Sequence, residues 1–260
     1  MLFRSASHYR PGDRIFLFGF SRGAFAVRSL AGVIDQIGLI RREEATERAV
    51  RQAYRHYRFA PGTPAARIFA DRYCHAQAQV ALVGVFDTVK ALGLRLPLLW
   101  MLTDKHHSFH SAALGMSIQR GVQALALDET RAVFQPVLWD VPPDRLDEIE
   151  QMWFRGAHAD IGGHLGEFQA ARPLSNLPLV WVLERAEAAG LRLPPGWAAR
   201  YPCDPRAPMV GTWRGAGAIF LLRRRRMVGR DPSERIHPSA ARPAEAQSHA
   251  ADVPTAPEKA

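Results

Sequence analysis

Ile15-Phe16-Leu17-Phe18-Gly19-Phe20-Ser21-Arg22-Gly23 joins a solid apolar run to a G-x-S-x-G turn. Apolar runs of this kind read as strands buried on both faces, the mark of a parallel sheet. Past Gly23 the pattern changes, because Val27, Leu30, Ala31, Ile34 and Ile37 recur at helical spacing and Gly38 offers a stop. Strand, serine turn and helix in immediate succession are what a nucleophile elbow needs. The serine sits on a strained turn, and small residues two before and two after it let strand and helix pack closely. Its hydroxyl then stands clear of the sheet at a helix N-terminus, where backbone amides favour a developing oxyanion. The alternative is a tight turn with an incidental serine.

Working outward, Val80–Phe86 is a second apolar run, ending at Asp87. The pattern then predicts a helix around Ser111–Leu127, a β-rich segment over Ala132–Trp139, and a short strand at Gln151–Phe154 that breaks into the glycine-rich loop 156–163. Leu179–Ala189 reads as a helix closed by Gly190, and Arg41–Arg58 as a charged helix with Val50, Tyr54 and Tyr57 on its apolar stripe. Strands alternating with helices at this spacing argue for an α/β sheet of mostly parallel strands. We expect one α/β domain over residues 1–240. The stretch 241–260 is rich in Ala, Pro and Glu, with few aliphatics, and reads as a disordered tail.

A serine nucleophile needs a base, and the base needs an orienting acid. In α/β-hydrolases these follow in the order Ser, Asp or Glu, then His, on loops at the C-terminal ends of strands. Asp87 follows the second run and His158 follows the strand at Gln151–Phe154, so both fit in order and position. Taken singly, an aspartate there is more often a helix cap, and a lone loop histidine is more often solvated or capping than catalytic. Asp160 reads as a tether or turn cap without chemistry. His237 also follows the serine in order, but lies in a Pro/Arg-rich stretch without a preceding apolar run. The backbone amide of Arg22 is the expected oxyanion donor. The His106, His107 and His110 group has an H-x-x-x-H spacing but no Glu between the rings and no evident third ligand, so we expect no metal and no organic cofactor.

Composition bounds the rest. The chain's 260 residues suffice to bury a core without disulfides or metals, and Cys74 and Cys203 lie too far apart in sequence for a metal-binding pair. The formal charge of +9 is almost wholly arginine, since lysine occurs only at Lys90, Lys105 and Lys259. Such a surface attracts nucleic acid or an anionic membrane, or else reflects a coding bias towards arginine. No nucleic-acid recognition motif accompanies it. The run Arg223–Arg226 is either a solvated stretch or a contact for lipid phosphates. Leu92–Leu102, with Trp100, reads as a lid or lipid-facing rim, or as a buried helix. The N-terminus has no apolar core of a signal peptide and no run is long enough to span a bilayer, which predicts cytoplasmic synthesis.

With these residues placed, the chain resembles the uncharacterised α/β-hydrolase domain found in type VI secretion phospholipase effectors of the first lipase class. The matching text is Pro11-Gly12-Asp13 running into FLFGFSRGAFAVRSLAG, then VFDTV, ALDETRAVFQP, QMWFRGAHADIGG, Pro173-Leu174-Ser175, and Ile236-His237-Pro238-Ser239. The resemblance implies a triad of Ser21, Asp87 and His158 and hydrolysis of glycerophospholipid esters. It also implies export by the type VI apparatus, peripheral membrane contact, and an immunity protein as partner. Three departures stand out. His164 occupies the place of a third glycine, Gln123 stands where the family usually has histidine, and the family's strand and Asp-Gly-Thr loop upstream of the serine are not in these residues. The last predicts a sheet lacking its first strands, and a runner-up reading of a truncated, non-catalytic fragment or pseudoenzyme.

Overall fold

The computed structural model describes residues 1–89, 114–213 and 220–240. Among these, five strands form one sheet: β1 (Ile15–Phe20), β2 (Val80–Phe86), β3 (Gly121–Ala126), β4 (Ile149–Phe154) and β5 (Glu234–Ile236). They lie side by side in chain order, every neighbouring pair parallel. The register sets Phe20 beside Phe86, Phe86 beside Ala124, and Ala126 beside Phe154. The C-terminal ends of the first four strands are therefore level, and whatever follows them meets at one edge of the sheet.

Helices cover both faces. The described helices are α1 (Leu2–His8), α2 (Arg22–Gln36), α3 (Glu47–Phe59), α4 (Pro64–Tyr73), α5 (His158–Gly162) and α6 (Arg172–Ala188). On one face, Val27, Leu30 and Ile34 of α2 join Ala53 and Tyr57 of α3, Phe69 of α4, and Val83 and Val85 of β2 in one core. On the other, Trp181, Val182 and Ala186 of α6 cover Leu82, Val122, Ala124 and Phe154. Alternate residues of β2 thus serve opposite cores, and β2 and β3 are buried almost throughout, as interior strands of a parallel sheet are. No helix among the described residues is long and apolar enough to cross a membrane.

Several elements differ from expectation. The helix expected around Ser111–Leu127 is strand β3 over Gly121–Ala126, since burial between two parallel strands overrides the helix preference of its Ala-Leu-Ala text. Residues 111–113 lie outside the described residues. The segment Ala132–Trp139 is a 3-10 turn at Ala132–Phe134 followed by chain that pairs through an isolated antiparallel Val89–Pro136 bridge outside the sheet. Pro136 has no N–H for a ladder, so the Val137 amide donates to the Thr88 carbonyl at 2.9 Å and side chains add further ties. Arg28 donates to the Val137 and Leu138 carbonyls at 2.5 and 3.1 Å. The charged helix starts late, at Glu47, where the Thr46 hydroxyl caps it by accepting from the Ala49 amide. Its buried stripe is Ala49, Ala53 and Tyr57, while Tyr54 faces solvent. β1 is only half buried and Phe18 is exposed, because β2 is its one described neighbour in the sheet. The expected lid at Leu92–Leu102, the histidines at 106, 107 and 110, and the tail 241–260 lie outside the described residues.

Candidate active site

The turn after β1 is strained in the way an elbow requires. Ser21 has φ 59° and ψ −124°, a conformation that L-residues rarely adopt, and it forms the N-cap of α2. Its amide donates to the Phe86 carbonyl at 3.0 Å, which pins the turn to the end of β2. Gly19 is required by contact: a Cβ there would stand 2.6 Å from the Gly23 carbonyl oxygen and 2.8 Å from the Ala24 backbone. A Cβ at Gly23 would meet nothing within 4 Å, so the close approach of strand and helix depends on the first glycine and not on the second.

Asp87 follows β2 with φ 44° and is wholly buried. Its Oδ1 accepts from the Ala126 amide at 3.1 Å and from Arg226 Nη1 at 2.5 Å. Its Oδ2 accepts from Arg226 Nη2 at 2.9 Å and lies 2.5 Å from His158 Nδ1. Burial alone would raise the carboxyl's pKa, but the Arg226 charge and the hydrogen bonds outweigh it and hold Asp87 well below the ordinary carboxylate range. An ionised carboxylate only accepts, so His158 Nδ1 is the donor and Nε2 presents its lone pair. That nitrogen lies 2.9 Å from Ser21 Oγ.

His158 opens α5, directly after β4, and is buried. Its ring packs against Phe134, stacked at 4.7 Å and 7°, and against Phe20, tilted at 4.6 Å and 35°. Its amide donates to Glu129 Oε2 at 3.1 Å, and Glu129 is held by two charge-assisted bonds from Arg131 at 2.8 and 2.6 Å. The Arg131 guanidinium lies over the Phe134 ring at 4.3 Å, so the acid and the aromatic that position the base are themselves linked. Beneath Asp87, the Thr88 hydroxyl donates to Gln123 Oε1 at 2.6 Å, and Gln123 Nε2 donates to the Val137 carbonyl and to Gln151 Oε1. Asp160 proves to be a tether: it accepts from the Ala157 amide at 2.8 Å and the Val210 amide at 2.7 Å. His164 is exposed and its amide closes α5 on Ala159, so the missing third glycine leaves His158 in contact with Ser21. His237 stacks on Phe154 and pairs with Ser239 at 2.7 Å, which removes it as an alternative partner for the serine.

Arg226 is the residue that sequence patterning misses. Within the run Arg223–Arg226, Arg224 and Arg225 are exposed, Arg223 lies over the Trp213 ring at 3.9 Å, and Arg226 turns inward against Asp87. A solvated run or a lipid-phosphate contact does not describe it. The available signal was indirect: a fully buried aspartate needs donors, and few basic residues stand near it in sequence.

No group of three or more His, Cys, Asp and Glu converges as a metal site among the described residues. A cleft of about 380 Å³ shares Phe20 with the histidine stack and is lined by Phe18, Phe86, Ile161 and Leu179, with Arg172 at its polar side.

Parallel strands ending level with helices on both faces define an α/β protein, and at their C-terminal edge a serine on a strained strand-to-helix turn is hydrogen-bonded through a histidine to an aspartate. Residues 4–185 match the phospholipase effector Tle1-like catalytic domain of type VI secretion systems, and the chain belongs to that family. The chain is 26% identical over 150 residues to the uncharacterised protein YEL023C of Saccharomyces cerevisiae, a match covering 52% of this chain and 20% of the yeast protein. Among solved structures it is similar to the Tle1 effector bound to the VgrG spike of the type 6 secretion system. That match has 22% identity and a TM-score of 0.32 over 62% of this chain and 28% of the effector. The chain therefore spans a fifth to a little over a quarter of the length of these relatives.

Proposed function

We propose that this chain carries the ester-hydrolysing centre of a phospholipase-type enzyme, with Ser21 as nucleophile, His158 as base and Asp87 as its orienting acid. The observation that carries the reading is the unbroken hydrogen-bonded path from Ser21 Oγ through His158 to Asp87. As Oγ attacks the ester carbonyl, His158 Nε2 takes its proton, and the imidazolium is stabilised through Nδ1–H on Asp87. The oxyanion forms at the N-terminus of α2, where the Arg22 amide, one of the first-turn donors without an intrahelical acceptor, supplies a hydrogen bond. His158 then returns the proton to the leaving alcohol, and water releases the acyl group by the same route reversed. Membership of a phospholipase effector family favours a lipid ester as substrate, and the aromatic and aliphatic lining of the cleft beside Phe20 suits an acyl chain.

By the same family membership, export with a secretion-apparatus partner, contact with the surface of the target membrane, and neutralisation by an immunity protein form part of this proposal. A fluorophosphonate probe is expected to label Ser21 in the folded chain, and anionic phospholipid vesicles are expected to release free fatty acid. Ser21→Ala should abolish both. Equal labelling of the alanine variant removes Ser21 from the mechanism.

A further inference from the structure

Orienting an imidazole requires of an aspartate only that its carboxylate be held in plane, which backbone amides can do. Asp87 has in addition a buried guanidinium in two-point contact, Nη1 on Oδ1 at 2.5 Å and Nη2 on Oδ2 at 2.9 Å. The fork matches the carboxylate edge, so it fixes the plane of the group that His158 Nδ1 meets. The same cation cancels the carboxylate's charge. Arg226 also donates to the Ala126 carbonyl at 2.9 Å and to the Phe134 carbonyl, so it ties the end of β3 and the ring that stacks on His158 to the acid between them. It lies beyond the residues that match the family, 139 positions from its partner.

We propose that Arg226 is a positioning residue of the Ser21–His158–Asp87 centre, acting through Asp87 both to hold the carboxylate's plane and to offset its charge beside the imidazole. The inference rests on the hydrolase reading above. A lone buried carboxylate draws a proton onto the imidazole beside it, and a protonated imidazole cannot accept from serine. A carboxylate already bound to a guanidinium draws that proton less strongly. The other charged groups around His158 are already engaged: Glu129 with Arg131, and Asp160 with the Ala157 and Val210 amides.

The test is the second-order rate of fluorophosphonate labelling at Ser21 in the full chain, followed across about pH 5 to 9. Arg226→Gln removes charge and fork. It is expected to slow labelling roughly ten- to a hundredfold at neutral pH and to move the acidic limb of the profile upward by about one pH unit. Arg226→Lys keeps a cation without the planar fork, so the limb should return toward its original position while the rate stays depressed. If the glutamine variant does not fold, the lysine variant decides alone: a slowed rate with the limb in place supports the proposal, and an unchanged rate overturns it. In a folded glutamine variant, a limb that does not move overturns it, because carbonyl contacts alone would lower the rate without touching the pH profile. Asp87→Asn combined with Arg226→Gln should label no more slowly than Asp87→Asn alone. A further loss in the double variant equal to that of Arg226→Gln would mean that Arg226 does not act through Asp87. Absence of labelling at Ser21 in the unaltered chain is a separate outcome, which removes the hydrolase reading and this inference with it.

Discussion

Aromatic packing of Phe134 and Phe20 against His158 does for the plane of the imidazole what Asp87 does for its tautomer. Phe134 is parallel to the ring at 4.7 Å, and Phe20 is the last residue of β1. A base displaced by a fraction of an ångström loses its alignment with Oγ, and such losses are costly in rate. Phe134→Ala should therefore slow labelling of Ser21 about tenfold or more. The half-buried position of Phe134, already shared with the Arg131 guanidinium, limits the accompanying stability loss to about 2 kcal/mol. Parallel labelling kinetics and urea unfolding check the two effects together, and a loss of stability without a loss of rate would assign Phe134 to packing alone. At this scale the sequence was partly legible. Ser21, Asp87 and His158 each stand just beyond an apolar run, and the structure brings the three side chains into one hydrogen-bonded chain. Phe134 and Arg226 carry no such local mark, since each reaches the site from an irregular segment whose path is set by distant partners.

Among the elements, the β1–α2 turn is the one whose chemistry and packing cannot be separated. A methyl group at Gly19 would lie 2.6 to 2.8 Å from backbone atoms of Gly23 and Ala24, which cannot turn aside as a side chain would. Gly19→Ala is accordingly expected to push α2 off the strand, with a loss of about 1–3 kcal/mol and slower labelling. Gly23→Ala, whose added methyl meets nothing within 4 Å, should leave stability within about 0.5 kcal/mol. Thermal unfolding of the two variants distinguishes them, and an equal loss in both would show that the turn demands glycine for conformation rather than space. β1, β2 and α2 were readable because long apolar runs and a change of period announce them. β3 was not. Its Gly-Val-Gln-Ala-Leu-Ala text buries every residue, so no alternation survives to separate strand from helix, and its pairing with Val83–Phe86 and Ile149–Phe154 decides the matter.

For the whole molecule, the chain-order parallel sheet concentrates ionised groups as well as reactive ones. Asp87 and Glu129 are both buried where β2 and β3 end, and burial would raise both carboxyls were it not for their arginines. Arg226 on Asp87, and the hydrogen bonds of Arg131 on Glu129, reverse the sign and lower both. A carboxyl whose pKa is lower in the folded state than in the unfolded chain binds fewer protons when folded. Its contribution to stability is thus complete above its unfolded value, about 3.8 for Asp87 and 4.5 for Glu129, and is lost as pH falls through the folded value. Each unit of separation corresponds to about 1.4 kcal/mol. The urea midpoint should therefore be flat from neutral pH down to about pH 5 as far as these two groups are concerned, and should fall steadily below that. Replacing the first pair together, as Asp87→Asn with Arg226→Gln, takes away Asp87's share without leaving a buried charge unpaired. The double variant should show a shallower decline below pH 5, whatever its absolute stability, because one of the two titrating groups has gone. An identical slope in the two proteins would mean that the Asp87–Arg226 pair is not what the acid attacks, and that Glu129 and the surface carboxylates carry the acid response.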